Sequence, residues 1–215
     1  MTTKQHSFTD QIITSLDVGL RSLFAQPTAK RNSPAVEFAK DPITEHETLK
    51  QRSASLMRVN HVGEICAQAL YQGQALTSRS SEVRKKMQQA ADEEVDHLDW
   101  CFKRLKQLDS HTSYLNPVWY FGSFIIGVSA GLAGDKWSLG FLAETEKQVV
   151  AHLESHLGRL PEEDLISRAI VNQMAIDEAE HQAMAIENGA AELPTPIINL
   201  MQFSARIMTS VSEKI

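Results

Sequence analysis

Glu94-Val-Asp-His97 and Glu178-Ala-Glu-His181 each set a carboxylate and an imidazole three residues apart, twice in one chain. On an α-helix, residues three apart share a face one turn apart, so each pair aims two metal-ligating groups at one point. A lone Glu-x-x-His is a common surface pattern. Here each copy also follows a further glutamate, Glu64 or Glu146, by about one helix length. Four carboxylates and two imidazoles converging on one place could hold a pair of divalent cations. Carboxylate-rich sites of this kind favour iron or manganese over zinc, whose structural sites prefer thiolates and four-coordination.

The neighbours of these residues are apolar at helical offsets. Met87, Ala90, Ala91, Leu98, Cys101 and Leu105 flank Glu94 and His97; Val171, Met174, Ala175, Ala185 and Ile186 flank Glu178 and His181. Glu146 sits among Leu139, Leu142, Val149, Val150 and Leu153, whereas Glu144, two residues away, lies on another face. Carboxylates on core-facing stripes must neutralise or find cations. The spacing predicts an all-α fold: a four-helix bundle whose ligand set, Glu64, Glu94, His97, Glu146, Glu178 and His181, is that of the di-iron and di-manganese carboxylate bundles.

The chain has 215 residues and a net charge of −6, which suits one domain and leaves no nucleic-acid footprint. Cys66 and Cys101 form no Cys-x-x-Cys, which argues against a zinc ribbon, a rubredoxin-type centre or a disulfide framework. Both are expected as reduced residues within helices, in a cytosolic compartment. Residues 1–25 lack a signal-peptide pattern. Instead, a cap at Thr9 or Asp10 and an apolar face of Ile12, Ile13, Leu16, Leu20, Leu23 and Phe24 predict an amphipathic helix. Residues 26–43, with Pro27, Pro34 and Pro42, read as a linker wrapping the bundle. The expected division is therefore 1–45, an N-terminal helix and linker, and 46–215, the bundle.

The first ligand helix is expected from about Glu47 to Thr77. Within it, Gly63 could admit a close neighbour or ligand, and His61 lies one turn from Glu64. The second runs from a cap at Ser80 or Ser81 to about Leu108. Its Arg84, Lys85, Lys86, Lys103, Arg104 and Lys106 read as a solvated basic face or one drawn to anionic lipid. The third spans Asp135 to about Arg159. The fourth opens with Pro161 in its first turn and stops at Gly189.

Residues 110–134 contain no Asp, Glu, Lys or Arg. Their length suits a transmembrane span, but a single crossing would put Glu64, Glu94 and His97 on one side and the other three ligands on the opposite side. They read instead as an apolar crossover between two halves, packed closely through Gly122, Gly127, Gly131 and Gly134, with an exposed side and with Trp119 and Tyr120 at a headgroup boundary. Residues 197–211 form a second apolar helix, a lid or a lipid contact.

Arg58-Val-Asn-His-Val-Gly-Glu64, the run Ala67–Gln74, Glu94-Val-Asp-His97-Leu98, Glu146 with His152 six residues on, and Asp177-Glu-Ala-Glu-His181 resemble the demethoxyubiquinone hydroxylase family over about residues 50–213. The resemblance implies a ferritin-like fold, two iron ions per chain, and hydroxylation of a polyprenyl benzoquinol ring with O₂ in ubiquinone biosynthesis. It also implies association with a membrane without spanning it, here the cytoplasmic face of the cell membrane, with room for other ubiquinone-biosynthesis proteins as partners. Glu94 and Glu178 become the bridging ligands. One departure is His152-Leu153, where better-known members carry His-Tyr, so no role of that tyrosine transfers. No Gly-rich nucleotide fingerprint, flavin motif or Fe–S motif is visible, so electrons come from an external donor, or from a nicotinamide or quinol bound without its own domain. Ligand spacing alone admits a ferritin- or rubrerythrin-like storage or peroxidase protein as the alternative.

Overall fold

The computed structural model describes residues 8–35 and 41–215, in which every regular element is helical, with no strand among them. Seven α-helices follow in order: α1 Phe8–Phe24, α2 Glu47–Thr77, α3 Ser81–Gln107, α4 Asn116–Ala133, α5 Asp135–Arg159, α6 Leu165–Glu187 and α7 Thr195–Ser212. The four ligand-bearing helices α2, α3, α5 and α6 form the bundle, a ferritin-like arrangement. α2 pairs with α3 and α5 with α6, and the pairs meet mainly through α3 against α6.

Helix ends follow local chemistry. The Ser80 side chain caps α3 by accepting from the Val83 N–H. Gly189, at φ +88°, follows α6 in a conformation that L-residues disfavour. The start of α6 departs from expectation. Pro161 lies outside the helix, which is capped instead by Asp164, whose carboxylate accepts the Ser167 N–H at 2.9 Å and Arg104 Nη2 at 2.8 Å. Arg104 is correspondingly buried rather than part of a solvated basic face. Thr9 and Asp10 fall inside the first turn of α1; its cap lies outside the described residues, as does the Ile12 side chain.

Two apolar clusters stack along the bundle axis. Met57, Cys101, Leu105, Leu153, Ile170 and Met174 fill one end, and Tyr71, Met87, Ala90, Leu139, Leu142 and Ala185 the other. Each ligand helix contributes to both, so the glutamates and histidines between those positions are held at mid-height. There water is excluded on both sides.

α2 is buried on nearly all sides because α4 covers its outer face. The crossing is backbone on backbone. A methyl at Gly73 would lie 2.5 Å from the Phe124 carbonyl oxygen, and one at Gly127 or Gly131 would collide with Leu70 or Thr77. Gly63 and Gly122 face open space instead. Two buried glutamines on α2 are held by neighbouring helices: Tyr120 Oη donates to Gln72 Oε1 at 2.5 Å, and Gln74 Nε2 to the Ser138 carbonyl at 2.7 Å. Tyr120 is thus core, not headgroup-facing. Phe124 packs inward against it, while Val118, Phe121, Ile125, Ile126 and Leu132 are exposed. α1 lies against α2 and α4 and turns Ile13, Leu16, Leu20 and Phe24 outward; α7 exposes Leu200, Phe203 and Ile207. No helix among the described residues is long and apolar enough to cross a membrane.

Candidate metal centre

Glu64, Glu94, His97, Glu146, Glu178 and His181 are all buried between the two apolar clusters. The imidazoles face each other across two carboxylates. His97 Nδ1 lies 2.9 Å from Glu94 Oε2 and 3.1 Å from Glu178 Oε1. His181 Nδ1 lies 3.2 Å from Glu94 Oε1 and 3.0 Å from Glu178 Oε2. Each of these carboxylates therefore presents one oxygen to each histidine. Glu64 flanks the His97 side, with Oε2 at 3.6 Å from Nδ1. Glu146 interacts electrostatically with Glu178 and His181 and accepts a hydrogen bond from Tyr71 Oη. Glu144 turns away to Lys147 and Gln148.

The outer nitrogens are held crosswise. His97 Nε2, on α3, lies 2.8 Å from Asp177 Oδ2 on α6; His181 Nε2, on α6, lies 2.7 Å from Glu93 Oε2 on α3. With a cation bound, these contacts would keep the proton of each imidazole on Nε2 and leave Nδ1 to ligate. Sequence reasoning missed these two acids. Their signal was present, since Glu93 and Asp177 each stand directly before a motif glutamate. Tyr71 enters the sequence reading only within the run Ala67–Gln74, with no role at the site.

The electrostatics describe a cluster that attracts cations. Burial, with Glu94 nearby, pushes the Glu64 carboxyl well above its usual range. Burial and the Glu178 charge do the same to Glu146. Burial alone would also raise Glu94, yet hydrogen bonds from His181 and His97 hold it below the usual carboxylate range. For His181, burial disfavours the charged ring, but Glu178 and Glu94 outweigh it and push the pKa up to about 12. His97 is raised in the same way by Asp177, Glu178, Glu64 and Glu94. Crowded acids here take up protons wherever they can. A divalent cation would satisfy them better, because each ligating oxygen or nitrogen could then shed its proton. Glu64, Glu94, His97 and Glu178 offer ligand atoms all within 4.8 Å of one another, so this group could hold metal.

His61 and His152 stand apart from that cluster. His61 is buried beside the Phe102 ring, its pKa driven by burial down to about 3. His152 packs against His156 with ring centroids 4.0 Å apart. Cys66 and Cys101 are free thiols, Cys101 being fully buried and Cys66 partly so.

An all-helical bundle with a buried carboxylate and imidazole cluster that could hold metal at mid-bundle defines the class, that of the ferritin-like proteins. The profile of the family described as ubiquinone biosynthesis protein COQ7 matches residues 51–212, and the chain belongs to that family. Among similar proteins, one from Polynucleobacter necessarius subsp. necessarius (strain STIR1) is 54% identical over 206 residues, covering 96% of this chain and 98% of the relative. One from Nitrosomonas europaea is 53% identical, covering 93% and 95%, and one from Chromobacterium violaceum is 52% identical, covering 96% and 99%. All three are named 3-demethoxyubiquinol 3-hydroxylase.

Proposed function

We propose that this chain is an O₂-dependent monooxygenase with two iron ions, hydroxylating the ring of a demethoxy polyprenyl benzoquinol in ubiquinone biosynthesis. The observation that carries the reading is the division of each carboxylate of Glu94 and Glu178 between His97 and His181. Such a pair suits bridging ligands, with Glu64 and His97 completing one position and Glu146 and His181 the other. Iron in these positions supplies the electrons and oxidising power for O₂ reduction and C–H hydroxylation. One oxygen atom enters the ring and the other leaves as water, which consumes two electrons and two protons from a donor outside the chain.

The protein's own groups set the conditions for that chemistry. The apolar clusters above and below keep bulk water from the reacting centre. Asp177 and Glu93 hold the imidazoles in the tautomer that ligates. Tyr71 keeps a hydroxyl proton on Glu146.

A polyprenyl tail gains about 0.8 kcal/mol per CH₂ from staying in the bilayer, so the enzyme goes to its substrate. The exposed apolar sides of α4 and α7 support a peripheral seat on the cytoplasmic face of the membrane.

The test is turnover by the iron-loaded protein of a long-tailed demethoxyquinol in vesicles and of a tail-less analogue in solution. Two irons per chain and O₂-dependent hydroxylation of both are expected. Uptake of many irons without product would replace the reading with iron storage. Phe121→Asp with Ile125→Asp should weaken vesicle binding and slow only the long-tailed substrate about tenfold, since each aspartate costs a few kcal/mol at an apolar boundary. Equal loss for both substrates would remove the membrane seat.

A further inference from the structure

Residues 25–35, which follow α1, form no regular element and lie outside the residues matched by the family profile. They nevertheless run to the back of the metal centre. Ala29 and Ala35 pack on the apolar cluster of Met57 and Met174. Between them, the Lys30 main-chain N–H donates to Asp96 Oδ1 at 2.6 Å, and Arg31 Nε to Asp96 Oδ2 at 2.8 Å. Arg31 Nη2 donates at 2.8 Å to Asp177 Oδ2, the same oxygen that meets His97 Nε2 at 2.8 Å. The guanidinium also lies 5.0 Å over the Trp100 ring, whose centroid is 5.4 Å from that of His97.

We propose that this strap is a built part of the metal centre and that Arg31 is a positioning residue for His97, acting through Asp177. The proposal rests on His97 being an iron ligand. One planar guanidinium spans an aspartate on α3 and an aspartate on α6, the helices that carry His97 and Glu178. Lysine, a single point charge, could not hold both carboxylates in one plane. Asp177 is thereby fixed in direction, and with it the His97 ring whose other nitrogen faces Glu94 and Glu178. The acid behind the opposite histidine is otherwise held only from within its own helix among the described residues, Gln89 Nε2 donating to Glu93 Oε1 at 3.0 Å. Among the described residues, no Lys or Arg forms an ion pair with Glu93, whose side chain is 42% exposed. The two metal positions are therefore unequal, and the inequality is imposed by a segment outside the bundle.

Arg31 is 44% exposed but the side chains of Asp96 and Asp177 are only 5% and 12% exposed, so removing the guanidinium also costs overall stability, and a positioning role is separated from that loss by unequal effects on the two irons. The experiment uses the full chain, with ferrous ion as the probe, and compares the parent with Arg31→Gln, Arg31→Lys and Lys30→Gln. Chelator competition gives the affinity of each iron, Mössbauer spectroscopy reports the two iron environments, and thermal unfolding of the metal-free protein reports the fold. Removing a group that orients a ligating histidine weakens metal binding by about 10-fold or more. Arg31→Gln should therefore weaken one of the two irons about tenfold and alter one Mössbauer doublet while the other iron keeps its parental affinity. Arg31→Lys should recover only part of that affinity, and Lys30→Gln should match the parent. Parent-like affinity and spectrum in Arg31→Gln would overturn the proposal. So would equal weakening of both irons together with a lower unfolding temperature. A parent protein that binds no iron would instead overturn the reading of the centre itself.

Discussion

His97 and His181 on one side, and His61 and His156 on the other, are buried to similar depth, yet their proton affinities run in opposite directions. Burial penalises the charged ring in all four. At His97 and His181 the converging carboxylates overcome that penalty. At His61 burial acts unopposed, and at His156 the neighbouring His152 and Arg159 add to it, leaving both at about 3. His156 satisfies one nitrogen with Asn60 Oδ1 at 2.7 Å and remains a neutral core residue. Depth alone does not set the proton affinity of a buried histidine; the acids that share its space do.

The comparison breaks most visibly if the shared acids are removed. Glu178→Ala deletes a carboxylate that faces both ligating imidazoles. Iron binding and turnover should fall by more than about 100-fold, since even groups one step outside the ligands are worth 10- to 100-fold. The helical circular dichroism should persist, and His156→Leu should retain both irons. Full iron and turnover in Glu178→Ala would show the assigned centre to be wrong.

A smaller difference is expected between the two outer acids. Asp177 is nearly buried and shared with Arg31, whereas Glu93 is partly open to solvent. Asp177→Asn should lower iron affinity toward the upper part of the 10- to 100-fold range and Glu93→Gln toward the lower part. The reverse order, measured by the same chelator competition, would place the tighter position on the His181 side.

The smallest effect concerns the neutral pair and is read without metal. His61 and His156 titrate near 6.5 when unfolded and at about 3 when folded. Between those values the unfolded state binds more protons, so their contribution is full above about pH 6.5 and is lost as pH falls toward 3. Each contributes a slope of about 1.4 kcal/mol per pH unit within that window. Denaturant unfolding of His61→Leu between pH 6 and 4 should show a slope shallower by that amount. An unchanged slope would mean that His61 is protonated in the folded state.

Much of the scaffold was legible because its punctuation is local. Glu47, Thr77, Asp135 and Arg159 mark the observed ends of α2 and α5, and the six central residues were legible from helical spacing against apolar neighbours. The remainder depends on contacts between distant parts of the chain. Arg31 reaches Asp96 and Asp177 across 65 and 146 residues, with no motif to announce it. Arg104 looked like one more basic residue on a basic face, until Asp164 drew it into the seam between α3 and α6 and moved the start of the helix to Leu165. Phe121 and Phe124 were equivalent as letters; the placement of α2 decides which of them packs inward.

The glycine contacts between α2 and α4 have a mechanical consequence. With no side chain between Gly73 and the Phe124 to Val128 backbone, that joint contains nothing soft to compress. The two helices are therefore fixed in one crossing, and a side chain at Gly73 or Gly127 would force α4 away from the segment bearing Tyr71. The same joint is closed off at the end of α4, where Gly134 turns with φ +112° and ψ 155°, values that suit glycine and little else. The next residue, Asp135, accepts hydrogen bonds from Ser78, Arg79 and Ser80 of the turn between α2 and α3.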